Sequence, residues 1–201
     1  VMDEQDKIEA LDIWMASEDF SYYSQQVPSC FYRLGTRNEA KGITFGVHHP
    51  NFDIDEGAIA PFLMQPAQGC VELVFVGHSL GCLNFLWAAA EGTLPTKFSR
   101  ALLVAPADPT LLTDLEIGRL DLENPELAER VADWADSITL VASDKDMWLP
   151  RGIHETYGKP FGLEPVVIQG GKHLSMADGW GRWQGVIDWV NDSTADLRVR
   201  G

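Results

Sequence analysis

From about residue 42 onward, short apolar runs rich in β-branched residues alternate with stretches of helical periodicity. Five runs read as strands: Gly42–His48, Val71–Val76, Arg100–Ala105, Ile138–Ala142 and Pro165–Ile168. They are largely apolar at successive positions rather than alternate ones, as strands covered by helices on both faces must be. Leu80–Glu91 reads as a helix running up to Gly92, a residue suited to a left-handed C-terminal cap. Asn124-Pro125 offers an N-cap and a first-turn proline to a helix carrying Leu127, Val131 and Trp134 on one face. Trp180–Val190 sets Trp183, Ile187 and Val190 at helical spacing. Strands alternating with helices predict an α/β chain with a mostly parallel central sheet and crossover helices.

The first forty residues follow another pattern. Ile8, Leu11, Trp14 and Met15 suggest one amphipathic helix, the cluster Phe20–Tyr23 follows, and Cys30–Leu34 has the character of a strand. The chain is read as one domain, residues 1–201, with residues 1–41 an atypical N-terminal region. Within it, Asp108–Asp136 supplies −7 of the net charge. It reads first as a solvated helical excursion and second as an acidic cap over an active-site mouth.

Charge narrows the function. Fifteen Lys and Arg against 30 Asp and Glu leave −15 at pH 7. A chain so acidic is not built to neutralise nucleic-acid phosphates or to lie on an anionic membrane. No apolar run reaches the roughly 18 residues that span a bilayer. Val1–Lys7 is acidic where a secretory signal would be basic. Three cysteines, Cys30, Cys70 and Cys82, lack metal-ligand spacing and read as thiols of a reducing compartment, so a cytoplasmic protein is expected.

The strongest chemical signal is Gly77-His78-Ser79-Leu80-Gly81, which matches G-x-S-x-G. An apolar strand runs into it and a helix starts directly after it. A serine in so tight a strand-to-helix turn projects its hydroxyl from the C-terminal edge of the sheet, with glycines on both sides easing the turn. The N–H of Leu80, at the positive end of that helix, is the candidate oxyanion donor. A serine hydroxyl needs a base held by a third group. The expected chain order is Ser, acid, His. Two aspartates, Asp144 and Asp146, follow the strand Ile138–Ala142. Asp146, four residues before Pro150, is favoured as the acid, with Asp144 structuring the loop. Of five histidines, His173 is favoured as the base because it follows the last strand through Gln169–Lys172. His48 and His49 precede Ser79, His78 adjoins it pointing elsewhere, and His154 falls in a helical stretch beyond Pro150.

Residues 71–190 resemble α/β-hydrolases and, more narrowly, the small serine hydrolases related to retinoblastoma-binding protein nine and YdeN. The resemblance lies in VGHSLGC (Val76–Cys82), LLVAPADP (Leu102–Pro109), VASDKDMWLP (Val141–Pro150) and GGKHLSMADGWGRW (Gly170–Trp183). It departs from the family pattern at Lys172, Asp178 and Gln184, where glycine, serine and proline are usual. The resemblance implies a compact three-layer sandwich of α/β-hydrolase type, with Ser79 as nucleophile, Asp146 as acid and His173 as base. The family's retinoblastoma-pocket motif is absent, so no such partner is implied. A second oxyanion donor would come from an opening strand and glycine loop. Cys30–Gly35 and Gly46–His49 are the two candidates here.

The expected activity is therefore hydrolysis of small ester or amide substrates through an acyl-enzyme, with no cofactor, no metal, no nucleic acid and no membrane. The alternative expectation is a binding protein of hydrolase fold with weak or no turnover.

Overall fold

A computed structural model describes residues 37–45, 72–94, 96–112 and 120–201. Among the described residues, four strands form the sheet: β1 (Val74–His78), β2 (Arg100–Val104), β3 (Ile138–Ser143) and β4 (Val166–Ile168). All three pairings are parallel, in the order β1-β2-β3-β4. The register sets His78 beside Val104, Val104 beside Val141, and Ser143 beside Ile168. The C-terminal ends of all four strands therefore open on one edge, the edge where α/β sheets carry their sites.

Among the described residues, three helices of at least eight residues cover the sheet: α1 (Leu80–Glu91), α2 (Pro125–Ala132) and α3 (Gln184–Asn191). The two faces of each central strand separate cleanly, because successive side chains alternate. Ala101, Leu103, Leu140 and Ala142 pack with Phe85 and Leu86 of α1 and Val131 of α2. Leu102, Val104 and Val141 point the other way, into Trp180, Trp183 and the Val186 and Trp189 side chains of α3. Helices on both faces of a parallel sheet make three layers, as expected from the alternation of strand and helix.

Local chemistry explains the helix ends. Gly92 closes α1 in the left-handed conformation at φ 67°, its N–H returning to Ala88 and Ala89 carbonyls. The Asn124 side chain accepts the Glu126 N–H and Pro125 occupies the first turn of α2. Arg130 then ties α2 to α1 by donating to the Ala90 carbonyl at 2.7 Å. Beyond α3, the chain returns across the second layer. The Trp183 indole donates to the Leu197 carbonyl, and the Arg200 guanidinium lies 4.3 Å over the Trp180 ring.

Two expectations are corrected. The strand expected at Gly42–His48 does not begin there. Asn38 and Ile43 instead exchange backbone hydrogen bonds across a turn, with Gly42 at φ 75° and the Asn38 carboxamide accepting the Lys41 N–H. Those local bonds outcompete an extended start. The helix expected at Trp180–Val190 starts at Gln184, because Ser175 caps a short 3₁₀ turn over Met176–Asp178 and Gly179 at φ 86° ends it. The N-terminal helix, the Cys30–Leu34 strand, Cys30 and Cys70 lie outside the described residues. Among the described residues no helix is long and apolar enough to cross a membrane.

Candidate active site

β1 delivers Ser79 to the C-terminal edge at the first turn of α1. Its backbone stands at φ 54° and ψ −119°, a conformation costly for any residue with a Cβ. Bonds on both sides impose it. The Ser79 N–H donates to the Val104 carbonyl at 2.9 Å, and its own carbonyl accepts the Cys82 N–H at 3.1 Å. The turn brings α1 so close to β1 that a Cβ on Gly77 would stand 2.7 Å from the Phe75 ring and 3.2 Å from the Cys82 nitrogen. No described atom lies within 4 Å of a Cβ placed on Gly81. Among the described residues, then, the steric demand for glycine falls on the first glycine of the motif and not on both. The N–H of Leu80 is the first of α1, and no described acceptor takes it.

His173 reaches Ser79 from the far side of the sheet. β4 is three strands from β1, about 14 Å at the usual strand spacing. Four residues lie between Ile168 and His173, and the five steps reach at most roughly 17 Å when extended. The loop covers that distance with little slack, and three devices hold it. Asp144 accepts the Gly170 N–H at 2.6 Å, fastening the loop to the end of β3. Asp178 accepts the His173 N–H at 3.2 Å and stands 3.7 Å from the Lys172 ammonium. The His78 ring meets the His173 carbonyl at 2.9 Å. Lys172 and Leu174, on either side of His173, have φ of 55° and 52°. With Ser79 and Ala105 they are the non-glycine residues at positive φ among those described, and all four lie on this edge. The departures at Lys172 and Asp178 thus sit against each other, the carboxylate facing both the ammonium and the strained backbone.

The three side chains favoured from the sequence meet. His173 Nε2 is 2.9 Å from Ser79 Oγ, and His173 Nδ1 is 2.9 Å from each carboxylate oxygen of Asp146. A carboxylate only accepts, so Nδ1 holds a proton toward Asp146 and Nε2 faces the serine hydroxyl. Asp146 is buried, and its Oδ1 also accepts the Trp148 N–H at 2.9 Å. His154 lies in the π-helical turn His154–Gly158, exposed and away from this group, and pairs with Glu155 and Glu164. His48, His49 and both candidate segments for a second oxyanion donor lie outside the described residues.

A second buried carboxylate was not singled out from the sequence. Asp108 follows β2 and is 1% exposed. It accepts from Arg151 Nε at 2.9 Å and from the Thr110 hydroxyl at 2.7 Å. Burial pushes its carboxyl up, but the Arg151 and Thr110 hydrogen bonds outweigh that and hold it below the usual carboxylate range. Its N–H donates to the Trp148 carbonyl at 2.8 Å, and the buried Tyr157 hydroxyl donates to the Ala107 carbonyl. The β2 loop thereby braces the loop that carries Asp146. The available signal was an aspartate four residues past the end of an apolar strand, in a run otherwise of alanine and proline. Cys82 is a free thiol under Ser79, bonded to the Val104 carbonyl, and burial pushes its pKa up. It is a packing group rather than a nucleophile. Among the described residues, no three His, Cys, Asp or Glu side chains gather as metal ligands would.

Comparison with known proteins bears on the fold and the family. A YdeN-like hydrolase from Pectobacterium atrosepticum superposes with a TM-score of 0.57 at 19% identity, over 88% of this chain and 83% of its own. That likeness identifies the architecture as an α/β-hydrolase fold. The ydeN gene product of B. subtilis aligns over 59% of this chain and 63% of its own, at 21% identity and a TM-score of 0.49. Among curated proteins, IAA-amino acid hydrolase ILR1-like 6 of Arabidopsis thaliana is 44% identical over 45 residues, and an uncharacterized hydrolase of Staphylococcus aureus strain N315 is 45% identical over 47. These matches take in 22% and 23% of this chain, and only 10% and 12% of those relatives. The sequence profile of the serine hydrolases matches residues 63–192. That match spans all four strands and passes through Ser79, Asp146 and His173, and by it the chain belongs to the serine hydrolase family.

Proposed function

We propose that the protein is a carboxylesterase-like hydrolase that cleaves small neutral ester or amide substrates through a Ser79–His173–Asp146 triad. The observation that carries this reading is the unbroken run of 2.9 Å contacts from Asp146 through His173 to Ser79. With Nδ1–H held by Asp146, Nε2 takes the proton as Ser79 Oγ attacks the carbonyl carbon. The Leu80 N–H, at the positive end of α1, supports the developing oxyanion. Collapse of the tetrahedral adduct releases the alcohol or amine with the proton from His173. Water then repeats the sequence on the acyl-enzyme. A net charge of −15 disfavours anionic substrates such as phosphate esters. A cytoplasmic, reducing setting is part of the proposal, supported by an odd number of cysteines with Cys82 a buried free thiol.

The test is covalent labelling with a fluorophosphonate probe, with the adduct mapped by mass spectrometry, alongside p-nitrophenyl acetate hydrolysis. Ser79 should carry the adduct, and Ser79→Ala should lose turnover by about 10⁴-fold or more. An adduct on another serine, or none at high probe concentration, overturns the triad.

A further inference from the structure

Every member of the proposed triad is followed within three positions by a large apolar side chain standing in solvent. Leu80 is 39% exposed, Met147 76%, Trp148 43% and Met176 38%. Single exposed apolar residues are ordinary, but four on one functional edge, out of eight exposed large apolar residues described, form a concentration that calls for a ligand. Trp148 is the most constrained of them. Its N–H donates to Asp146 and its carbonyl accepts the Asp108 N–H, so its backbone is pinned at both ends while the indole stays open. The indole centroid lies 6.4 Å from that of the His173 ring, with the planes at 56°. A flat apolar group on a fixed backbone is a preorganised anchor, with little entropy left to lose on binding.

We infer that Trp148, with Met147 and Met176, seats the leaving group of the substrate, and that the preferred substrates are esters of apolar alcohols. The inference rests on the triad reading above. In acylation the Ser79 oxygen bonds to the carbonyl carbon, the carbon–oxygen bond to the leaving group breaks, and the serine proton passes through His173 Nε2 to the departing oxygen. The leaving oxygen must therefore lie within hydrogen-bond reach of His173. The group attached to it extends along the His173 side of the site, where Trp148 stands and where Met176 follows in the same loop. A full methylene contact contributes about 0.8 kcal/mol, a factor of about four in kcat/KM, and a half-contact about two.

The experiment compares ethyl, butyl and hexyl acetates, whose alcohols have nearly equal acidity, with ethyl acetate, butyrate and hexanoate. Product acid is followed by pH-stat in wild type, Trp148→Ala and Trp148→Phe, with Ser79 labelling as the control. In wild type, kcat/KM should rise about two- to fourfold per added methylene of the alcohol. Trp148→Ala should flatten that series to within about threefold from ethyl to hexyl, and Trp148→Phe should keep most of the slope. The acyl series should respond equally in all three proteins. A flat alcohol series, a slope that survives Trp148→Ala, a Trp148 effect confined to the acyl series, or no ester turnover at all by a protein that labels at Ser79 overturns the inference alone. Absence of both turnover and labelling overturns the triad reading and this inference with it.

Discussion

His78 holds His173 by its main chain: the His78 Nε2 donates to the His173 carbonyl at 2.9 Å, with the two rings 4.9 Å apart. A carbonyl only accepts, so the proton on His78 is at Nε2. The residue preceding the serine thus fixes the backbone of the residue whose ring faces it, across 95 positions of sequence. We expect His78→Leu to lower kcat about 5- to 30-fold with little change in KM, since one hydrogen bond of roughly 1–2 kcal/mol is lost at the base and none at the substrate. His78→Gln, which keeps a donor, should recover most of the loss. Equal kcat in His78→Leu and wild type would remove His78 from the positioning of the base.

The two aspartates after β3 should separate sharply. Asp146→Asn should cut kcat by about 10³–10⁴, because an amide opposite Nδ1 favours the wrong histidine tautomer. Asp144 accepts from the Gly170 N–H and the adjoining Ser143 hydroxyl, so Asp144→Asn should cost far less in kcat and show mainly as lower thermal stability. Steady-state kinetics and melting curves of the pair decide it. An inactive Asp144→Asn beside an active Asp146→Asn would reverse the assignment.

Strain at Ser79 has a price in stability that glycine can relieve. At φ 54° a Cβ costs about 1–3 kcal/mol, and glycine has none. Ser79→Gly should therefore melt roughly 2–6 °C above Ser79→Ala, both being without turnover. Lys172→Gly, at φ 55° in the His173 loop, should raise the melting temperature by a similar margin. Calorimetry of the purified variants is sufficient, and an unchanged or lower melting temperature in both glycine variants would mean that the turns are not strained.

Arg151 and Asp108 give a pH-dependent stability. The folded Asp108 carboxyl is held below its unfolded value, so the unfolded chain binds the additional proton on acidification. The pair's contribution is present above the ordinary carboxylate value near pH 4 and is lost as pH falls through the lower folded value. Arg151→Ala should destabilise by about 1–3 kcal/mol at pH 7, the guanidinium being half open to solvent, which weakens the pair. The gap between variant and wild type should narrow toward pH 3. Urea melts at pH 7, 5 and 3 test this, and a gap that stays constant or widens in acid would show that Asp108 is not the titrating partner.

The elements that local patterning governs were legible in the sequence. Leu80–Glu91 ends at Gly92 because only one neighbouring residue takes φ 67° without cost, and Asn124-Pro125 starts α2 because both residues favour a first turn. β2 and β3 keep their apolar runs almost to the residue. The Ser79 turn was readable because strand, glycine and helix follow directly in the chain. What could not be read were side-chain bonds outside the regular elements: Asp178 to the His173 N–H, His78 to the His173 carbonyl, and Asp108 to the Arg151 guanidinium. Such bonds have no period and no fixed spacing. A local capping box at Ser175–Asp178, followed by Gly179, delayed α3 to Gln184.

The separation of 94 positions from Ser79 to His173 sets an order in time. At about 5–20 residues per second, a ribosome adds the histidine roughly 5 to 19 seconds after the serine. Through that interval the nascent chain holds the Ser79 hydroxyl without the His173 imidazole, and the segment from β4 to α3 that brings that ring is made after the rest of the described sheet. The same order keeps Ser79 apart from His173 until β4 has been made and its loop has crossed the sheet edge.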